Sequence, residues 1–364
     1  MRKFLLFLGL GAAFLSCEQR PVVTFVPVPL VTSLLADTTV SAWSPLAAYD
    51  AEDSRGSIAV IGEPDRVSWM MGTLLLQDSF DNIDGRLLSD GLPDFAGETL
   101  AAYRDSAFVP YDACLQEGRE VQLREATVRM SLAALDTLYN RNVFDHENLL
   151  AKKRAKMLVL ASPYLARYGA HDLKVLFDAA GADIPVISVP GALRAHLERA
   201  HAYPCNVGVL ADRQMAVSGV FPEELDGCAV TVLSPAAESP ETELLRFLDM
   251  YRDAGNTLPL NALLVDERTV PSDSLRATLA RIRRSDTEEM MQYGRLLAPD
   301  FEVVDALACT AGECYRVLRQ RNLFTHDIAY PLAEFYEIRL SSGQPEDRLV
   351  LLRTQRSNSD YVQQ

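Results

Sequence analysis

What most limits the folds open to this chain is a set of short, unbroken apolar runs, each ended by Gly, Pro, Ser or Asp. They are Ser57-Ile58-Ala59-Val60-Ile61, Lys156-Met157-Leu158-Val159-Leu160-Ala161, Ile184-Pro185-Val186-Ile187-Ser188, Asn206-Val207-Gly208-Val209-Leu210, Ala229-Val230-Thr231-Val232-Leu233, Asn261-Ala262-Leu263-Leu264-Val265 and Phe301-Glu302-Val303-Val304. A strand with one wet face alternates apolar and polar residues, so runs like these suit strands buried on both faces of a parallel sheet. Helical spacing fills the gaps. Leu173, Leu176 and Phe177 share one helical face, with His171 or Asp172 available as its cap, and Leu244, Leu245, Phe247, Leu248 and Tyr251 form another. Strands alternating with helices predict an α/β fold with right-handed crossovers. With 364 residues and 48% hydrophobic content, the chain can build two such lobes or one large domain.

Three segments break the alternation. Residues 18–56, rich in Pro, Val, Thr and Ser, read as an irregular leader, a tether that ends by packing on the domain. The acidic stretch DSFDNIDGRLLSDGLPDFAGE, Asp78 to Glu98, reads as a loop or short hairpin outside the core. Its acids Asp78, Asp81, Asp84, Asp90 and Asp94 miss the alternate register of a calcium loop, where Phe80 intrudes, so a solvated loop is favoured over a metal site. At the C-terminus, Tyr336–Leu340 and Arg348–Leu352 flank Ser341-Ser342-Gly343-Gln344-Pro345 as a β-hairpin, with a polar tail beyond Arg353.

The first residues have the layout of an export signal: basic Met1-Arg2-Lys3, an apolar stretch from Phe4 to Phe14, then Leu15-Ser16-Cys17 before polar Glu18-Gln19-Arg20. The apolar stretch is shorter than the roughly 20 residues that span a bilayer. A cysteine at the cleavage point resembles a bacterial lipobox, which implies acyl (palmitate-class) chains on Cys17 and a protein tethered to a membrane of the cell envelope. The formal charge of −15 repels phosphate backbones, so nucleic acid is not an expected partner. Cys114, Cys205, Cys228, Cys309 and Cys314 are odd in number and match no metal spacing. The histidines at 146, 171, 196, 201 and 326 show no paired metal spacing either, and His196 and His201 read as surface residues. There is no GxSxG elbow and no phosphate loop, so no metal and no cofactor is expected.

From Ile184 onward the order of segments is similar to that of the aspartate/glutamate racemase superfamily, glutamate racemases in particular. IPVISV followed by NVGVLADRQMAVSGVF resembles their IPVIGV strand and IGVIGTxxTxxSGxY segment. Asp105-Ser106-Ala107-Phe108-Val109-Pro110-Tyr111-Asp112 resembles GDTAxxPYG. AKMLVLAS and Asn261 to Val265 resemble the two strands that lead to the catalytic cysteines, and Val304-Asp305-Ala306 with Thr310-Ala311 resembles VDSAxxTA. The resemblance implies two similar α/β lobes, with mainly parallel sheets, facing a central cleft that holds an amino acid. It divides the chain into a signal (1–17), the leader (18–56), a first lobe (57–204), a second lobe (205–310), and a C-terminal helix and hairpin returning to the first lobe (311–364).

The family's reaction needs one thiol on each side of the substrate α-carbon, and here both are replaced. Ser162 stands at the first position, followed by Pro163-Tyr164, and Asp266 at the second, followed by Glu267-Arg268. Two-thiol racemisation is therefore not expected. Strand ends project into the ligand crevice of such sheets, which makes Glu63, Asp65, Arg66, Ser162, Tyr164, Asp212, Arg213, Asp266, Glu267 and Arg268 the candidate lining. Arg66, Arg213 and Arg268 can clamp a carboxylate, and Asp266 or Glu267 can hold an amino group or act as a base. Three functions remain open: an anchored protein that binds a small molecule, a peptide or a partner in the cleft; an isomerase or other enzyme of altered chemistry on amino acids; and a periplasmic-binding-type solute receptor, whose hinge strands would cross between the lobes.

Overall fold

The computed structural model describes residues 25–144, 149–236, 238–325, 327, 329–341 and 349–354. Cys17, His146, His326 and the tail after Thr354 lie outside them. In chain order the strands are β1 (Ser57–Gly62), β2 (Thr99–Asp105), β3 (Leu138–Asn140), β4 (Leu149–Ala151), β5 (Ala155–Leu160), β6 (Val186–Ser188), β7 (Asn206–Ala211), β8 (Ala229–Leu233), β9 (Leu260–Asp266), β10 (Leu297–Asp305), β11 (Leu332–Leu340) and β12 (Leu349–Arg353). They form an eight-stranded sheet, ordered β4-β3-β12-β11-β2-β1-β5-β6, and a four-stranded sheet, ordered β10-β9-β7-β8. The chain is thus α/β with two mainly parallel sheets. Among the described residues antiparallel pairing is confined to β11 with β12 and to β3 with β4.

Every apolar run singled out in the sequence overlaps a strand, although Ile184 and Pro185 precede β6 and Ala161 follows β5. β1 and β5 are buried along their whole length, as strands covered on both faces must be. β8 departs from that expectation, because it is the edge of the second sheet and is only half-buried. The sheets share a core. Val207, Val209, Ala211, Ala262 and Leu264 pack into the same apolar cluster as β1 and β5, while Leu210, Leu263 and Val265 turn to the opposite face beneath the helices Pro240–Asp253 and Ser272–Arg284. Gly208 faces Phe247 so closely that a Cβ there would sit 2.4 Å from Cζ of the ring.

Helices begin where prolines and capping side chains allow. Pro64–Leu76 and Pro163–Ala180 both open on proline, whose missing N–H costs nothing in a first turn. The second ends at Gly181, at φ 65°, a left-handed residue that suits glycine. The helix expected around Leu173 therefore starts well before His171 or Asp172, and neither caps it. Asp172 is instead buried in mid-helix, where it accepts the Val28 N–H at 3.0 Å and pairs with Arg124 at 2.8 Å.

That contact also corrects the reading of the leader as irregular. Pro29–Ala36 and Ser44–Ala47 are helices, and the first buries Val31 and Leu34 on the first lobe. The 78–98 segment is a loop without a hairpin. Its acids are spent on its own backbone: Asp94 accepts Ser79 and Phe80 N–H, Asp78 accepts Asp90 and Gly91, and Asp81 accepts Ile83 and Asp84. The chain passes from first to second sheet through helix Val189–Ala200 and the following turn, and returns through helix Ala306–Gln320. Among the described residues no strand makes that crossing, unlike the hinge strands expected of a solute receptor.

Candidate functional site

Parallel strands present their C-terminal ends at the same edge of a sheet, and here the two edges meet. Glu63 follows β1, Asp105 ends β2, Ser162 follows β5, Asp212 follows β7 and Asp266 ends β9. At their centre lies Arg66, brought in by the first turn of Pro64–Leu76. Its Nη1 donates to both carboxylate oxygens of Asp266 at 3.0 Å, and its Nη2 donates to Asp212 at 3.0 Å. One cation from the first lobe is thus clamped by two carboxylates of the second. Side-chain exposure is 8% for Arg66, 2% for Asp266 and 41% for Asp212, so the first pair is dry and the second reaches solvent.

Burial and charge oppose each other in this cluster. Desolvation pushes Asp266 up to about 6, against the pull of the Arg66 guanidinium. Burial works against the charge on Arg66 too, but Asp266, Glu63 and Asp212 outweigh it and hold the guanidinium above its ordinary range. Glu63 is raised to about 7 by burial, which Arg66 and the Ser162 hydroxyl only partly offset. The Ser162 Oγ donates to Glu63 Oε1 at 3.0 Å, and Glu63 Oε2 is buried without a hydrogen-bond partner among the described residues. Ser162 itself is fully buried.

A second layer supports the first. Asp105 accepts the N–H groups of Ala107 and Phe108 and the Tyr111 hydroxyl, the last at 2.9 Å. Tyr111 meets Tyr164 edge-on, with ring centroids 6.5 Å apart. Burial raises both Tyr164 and Asp105. The structure therefore gathers Glu63, Arg66, Ser162, Tyr164, Asp212 and Asp266. It leaves Asp65, Arg213 and Arg268 exposed on the rim, and Glu267 turned to the Thr269 N–H. Asp212 also caps its own helix through Met215 N.

Two groups were missed or misread in the sequence. Asp105 and Tyr111 support the site, and the signal for them was present in the DSAFVPYD segment. His201 was read as a surface residue, yet its side chain is 2% exposed. It reaches Asp300 through Nδ1 and Glu302 through Nε2, both at 3.0 Å, while His196 meets the same Glu302 oxygen at 2.7 Å. Both carboxylates come from β10, so these histidines join the lobes.

None of this chemistry involves a thiol. Burial raises Cys114, and pushes Cys205 and Cys309 to about 12; Cys314 is raised further still. A proton-abstracting thiol needs the opposite shift. Among the described residues no group of His, Cys, Asp and Glu is arranged to hold a metal ion, and no helix is long and apolar enough to cross a membrane.

No protein-family model and no curated protein sequence matches the chain. Among solved structures it is similar to the glutamate racemase of Francisella tularensis in complex with D-glutamate, with 14% identity and a TM-score of 0.43 over 78% of this chain and 88% of that one. It is likewise similar to a glutamate racemase isoform of Bacillus anthracis, with 15% identity and a TM-score of 0.43 over 78% and 89%. An aspartate racemase homologue from Pyrococcus horikoshii matches with 12% identity and a TM-score of 0.37 over 72% and 99%. Likenesses this distant say nothing of activity or ligand.

Proposed function

We propose that this chain is an envelope protein anchored by lipid on Cys17, whose inter-lobe site binds a small amino-acid or carboxylate-type ligand and does not racemise through two thiols. The observation that carries the reading is the Arg66 clamp. A buried guanidinium aimed at the meeting point of the strand ends is a fork for a carboxylate. Asp212, the half-exposed partner, is the one a guest carboxylate displaces first, with Asp266 following as the lobes part. Ser162 and the unpartnered oxygen of Glu63 offer the neighbouring polar contacts.

Titration calorimetry against free amino acids, dicarboxylates and short cell-wall peptides tests the binding. Heat with at least one of them, lost on Arg66→Met, is expected. Silence across the panel overturns the ligand reading. Detergent-phase partitioning of the chain and of Cys17→Ser tests the anchor: the parent enters the detergent phase and the variant does not. If both stay in the aqueous phase, the anchor is wrong.

A second reading rests on a different observation. Asp266 and Glu63, one from each lobe and both raised toward neutrality, are candidates for general-base chemistry on an amino acid. Asp266 would take the α-proton once Arg66 releases it, with Ser162 or Tyr164 as donor on the other side. Solvent-deuterium incorporation into D- and L-glutamate or aspartate tests this, and exchange by Asp266→Asn at the parent rate rules it out.

A further inference from the structure

One pair of thiols lies away from the inter-lobe site. Cys205 immediately precedes β7, and Cys228 immediately precedes β8. The two strands run parallel with Asn206 opposite Ala229, and the Ala229 N–H donates to the Cys205 carbonyl at 3.2 Å. The cysteines therefore hold the next paired positions of the ladder, and their Sγ atoms are 3.9 Å apart. Neighbouring strands lie about 4.8 Å apart, inside the Cα separation of about 4.4–6.8 Å that a disulfide accepts. Closing a bond from that Sγ separation starts with side-chain rotation.

The other described thiols have different surroundings. Cys114 donates to the Phe108 carbonyl, Cys309 to that of Ala192, and Cys314 is buried in its helix. Cys228 is part-exposed, so a reagent reaches it, and Cys205 is buried directly behind it.

We propose that Cys205 and Cys228 are a disulfide-forming pair, oxidised when the chain meets a disulfide oxidant such as oxidised glutathione or a thiol–disulfide oxidoreductase. The Cys228 thiolate attacks one sulfur of the external disulfide and expels a thiolate, giving a mixed disulfide. The Cys205 thiolate then attacks the Cys228 sulfur and expels the second external thiolate. Two protein thiols are oxidised, one external disulfide is reduced to two thiols, and the two protein protons pass to the leaving thiolates.

The bond would staple the edge strand β8 to β7. It would also close the segment that carries Asp212, one of the two carboxylates on Arg66. An exported chain meets such an oxidant and a cytosolic one does not. Pairing and export are therefore separable.

The test is peptide mapping of the purified full chain without reductant, after incubation with oxidised glutathione and alkylation of the remaining thiols. A cross-linked peptide joining Cys205 to Cys228 is expected, with Cys114, Cys309 and Cys314 alkylated. In Cys205→Ser, Cys228 should instead keep a glutathione adduct, because no resolving thiol is present. Free, alkylatable Cys205 and Cys228 in the treated parent, or a bridge from either to another cysteine, would overturn the pairing. Mapping protein alkylated inside intact cells then reads the compartment. A bridge there supports export, and two free thiols there, with the bridge formed in vitro, refute export alone.

Discussion

Replacing Asp266 with Asn tests the closed site directly. Both Asp266 oxygens receive Arg66 Nη1 at 3.0 Å, and the two side chains are 2% and 8% exposed. Breaking a buried pair on one side strands the other charge and costs about 3–5 kcal/mol. Two features lower that figure. Asp212 still holds Nη2 at 3.0 Å, and the ionised Asp266 already carries a desolvation penalty that raises it to about 6. A cost of about 2–3 kcal/mol at pH 7.5 follows. Urea unfolding followed by the fluorescence of Trp43 and Trp69 measures it. The cost should grow as pH falls from about 6 toward 3.8, because folded Asp266 takes up a proton there that the unfolded chain does not, which stabilises the parent and not the amide variant. Arg66→Met with Asp266→Leu replaces both charges and should lie within about 1 kcal/mol of the parent. If Asp266→Asn matched the parent, or the double variant cost more than the single one, Arg66 would not be the lock between the lobes.

Glu63, raised from 4.5 to about 7, takes up a proton on folding between those limits, so the parent should lose stability as pH rises through that window. Glu63→Gln should remove that slope, gaining up to about 3 kcal/mol at pH 8 and nothing at pH 4 in paired urea titrations; an unchanged slope would clear Glu63. Asp172→Ala removes the acceptor of the Val28 N–H and leaves the Arg124 guanidinium, 15% exposed, without its buried partner. It should cost about 3 kcal/mol and expose residues 25–36 to limited proteolysis, whereas unchanged protection would mean that other contacts hold the leader.

The strands were legible where a run of branched residues made them so, and β2 shows the limit of that signal. Its sequence, TLAAYRD, carries two alanines and no β-branched residue after Thr99, yet it is buried between β1 and β11. Tertiary burial, not propensity, makes it a strand. The leader failed for the opposite reason. Its prolines and β-branched residues read as irregular chain, but Pro29 sits at a first helical turn, where proline fits, and Val31 and Leu34 find the first lobe.

For the site, the strand-end rule located Glu63, Ser162, Asp212 and Asp266, because it depends only on where runs stop. It said nothing about pairing. Arg66 meets Asp266 across 200 positions, and His201 meets Glu302 across 101. Contacts that distant in sequence leave no local trace, so Arg66 read as a free clamp and His201 as a surface residue.

The clamp also determines what binding must look like. Arg66 is satisfied within the chain, so a guest carboxylate gains only what it wins over Asp212 and Asp266. Displacing Asp212 alone exchanges one partly wet partner for another and gains little. Displacing Asp266 gains a dry contact but leaves that carboxylate buried without its cation. Arg66 is what opposes burial there and holds Asp266 at about 6, so without it the group is raised further and its protonated form is favoured. Tight binding at pH 7 should therefore take up protons, and the dissociation constant should rise with pH above about 6. Calorimetry in two buffers of different ionisation enthalpy counts those protons directly. Tight, pH-insensitive binding with no proton uptake would mean that the ligand leaves the Arg66–Asp266 pair intact and sits elsewhere in the molecule.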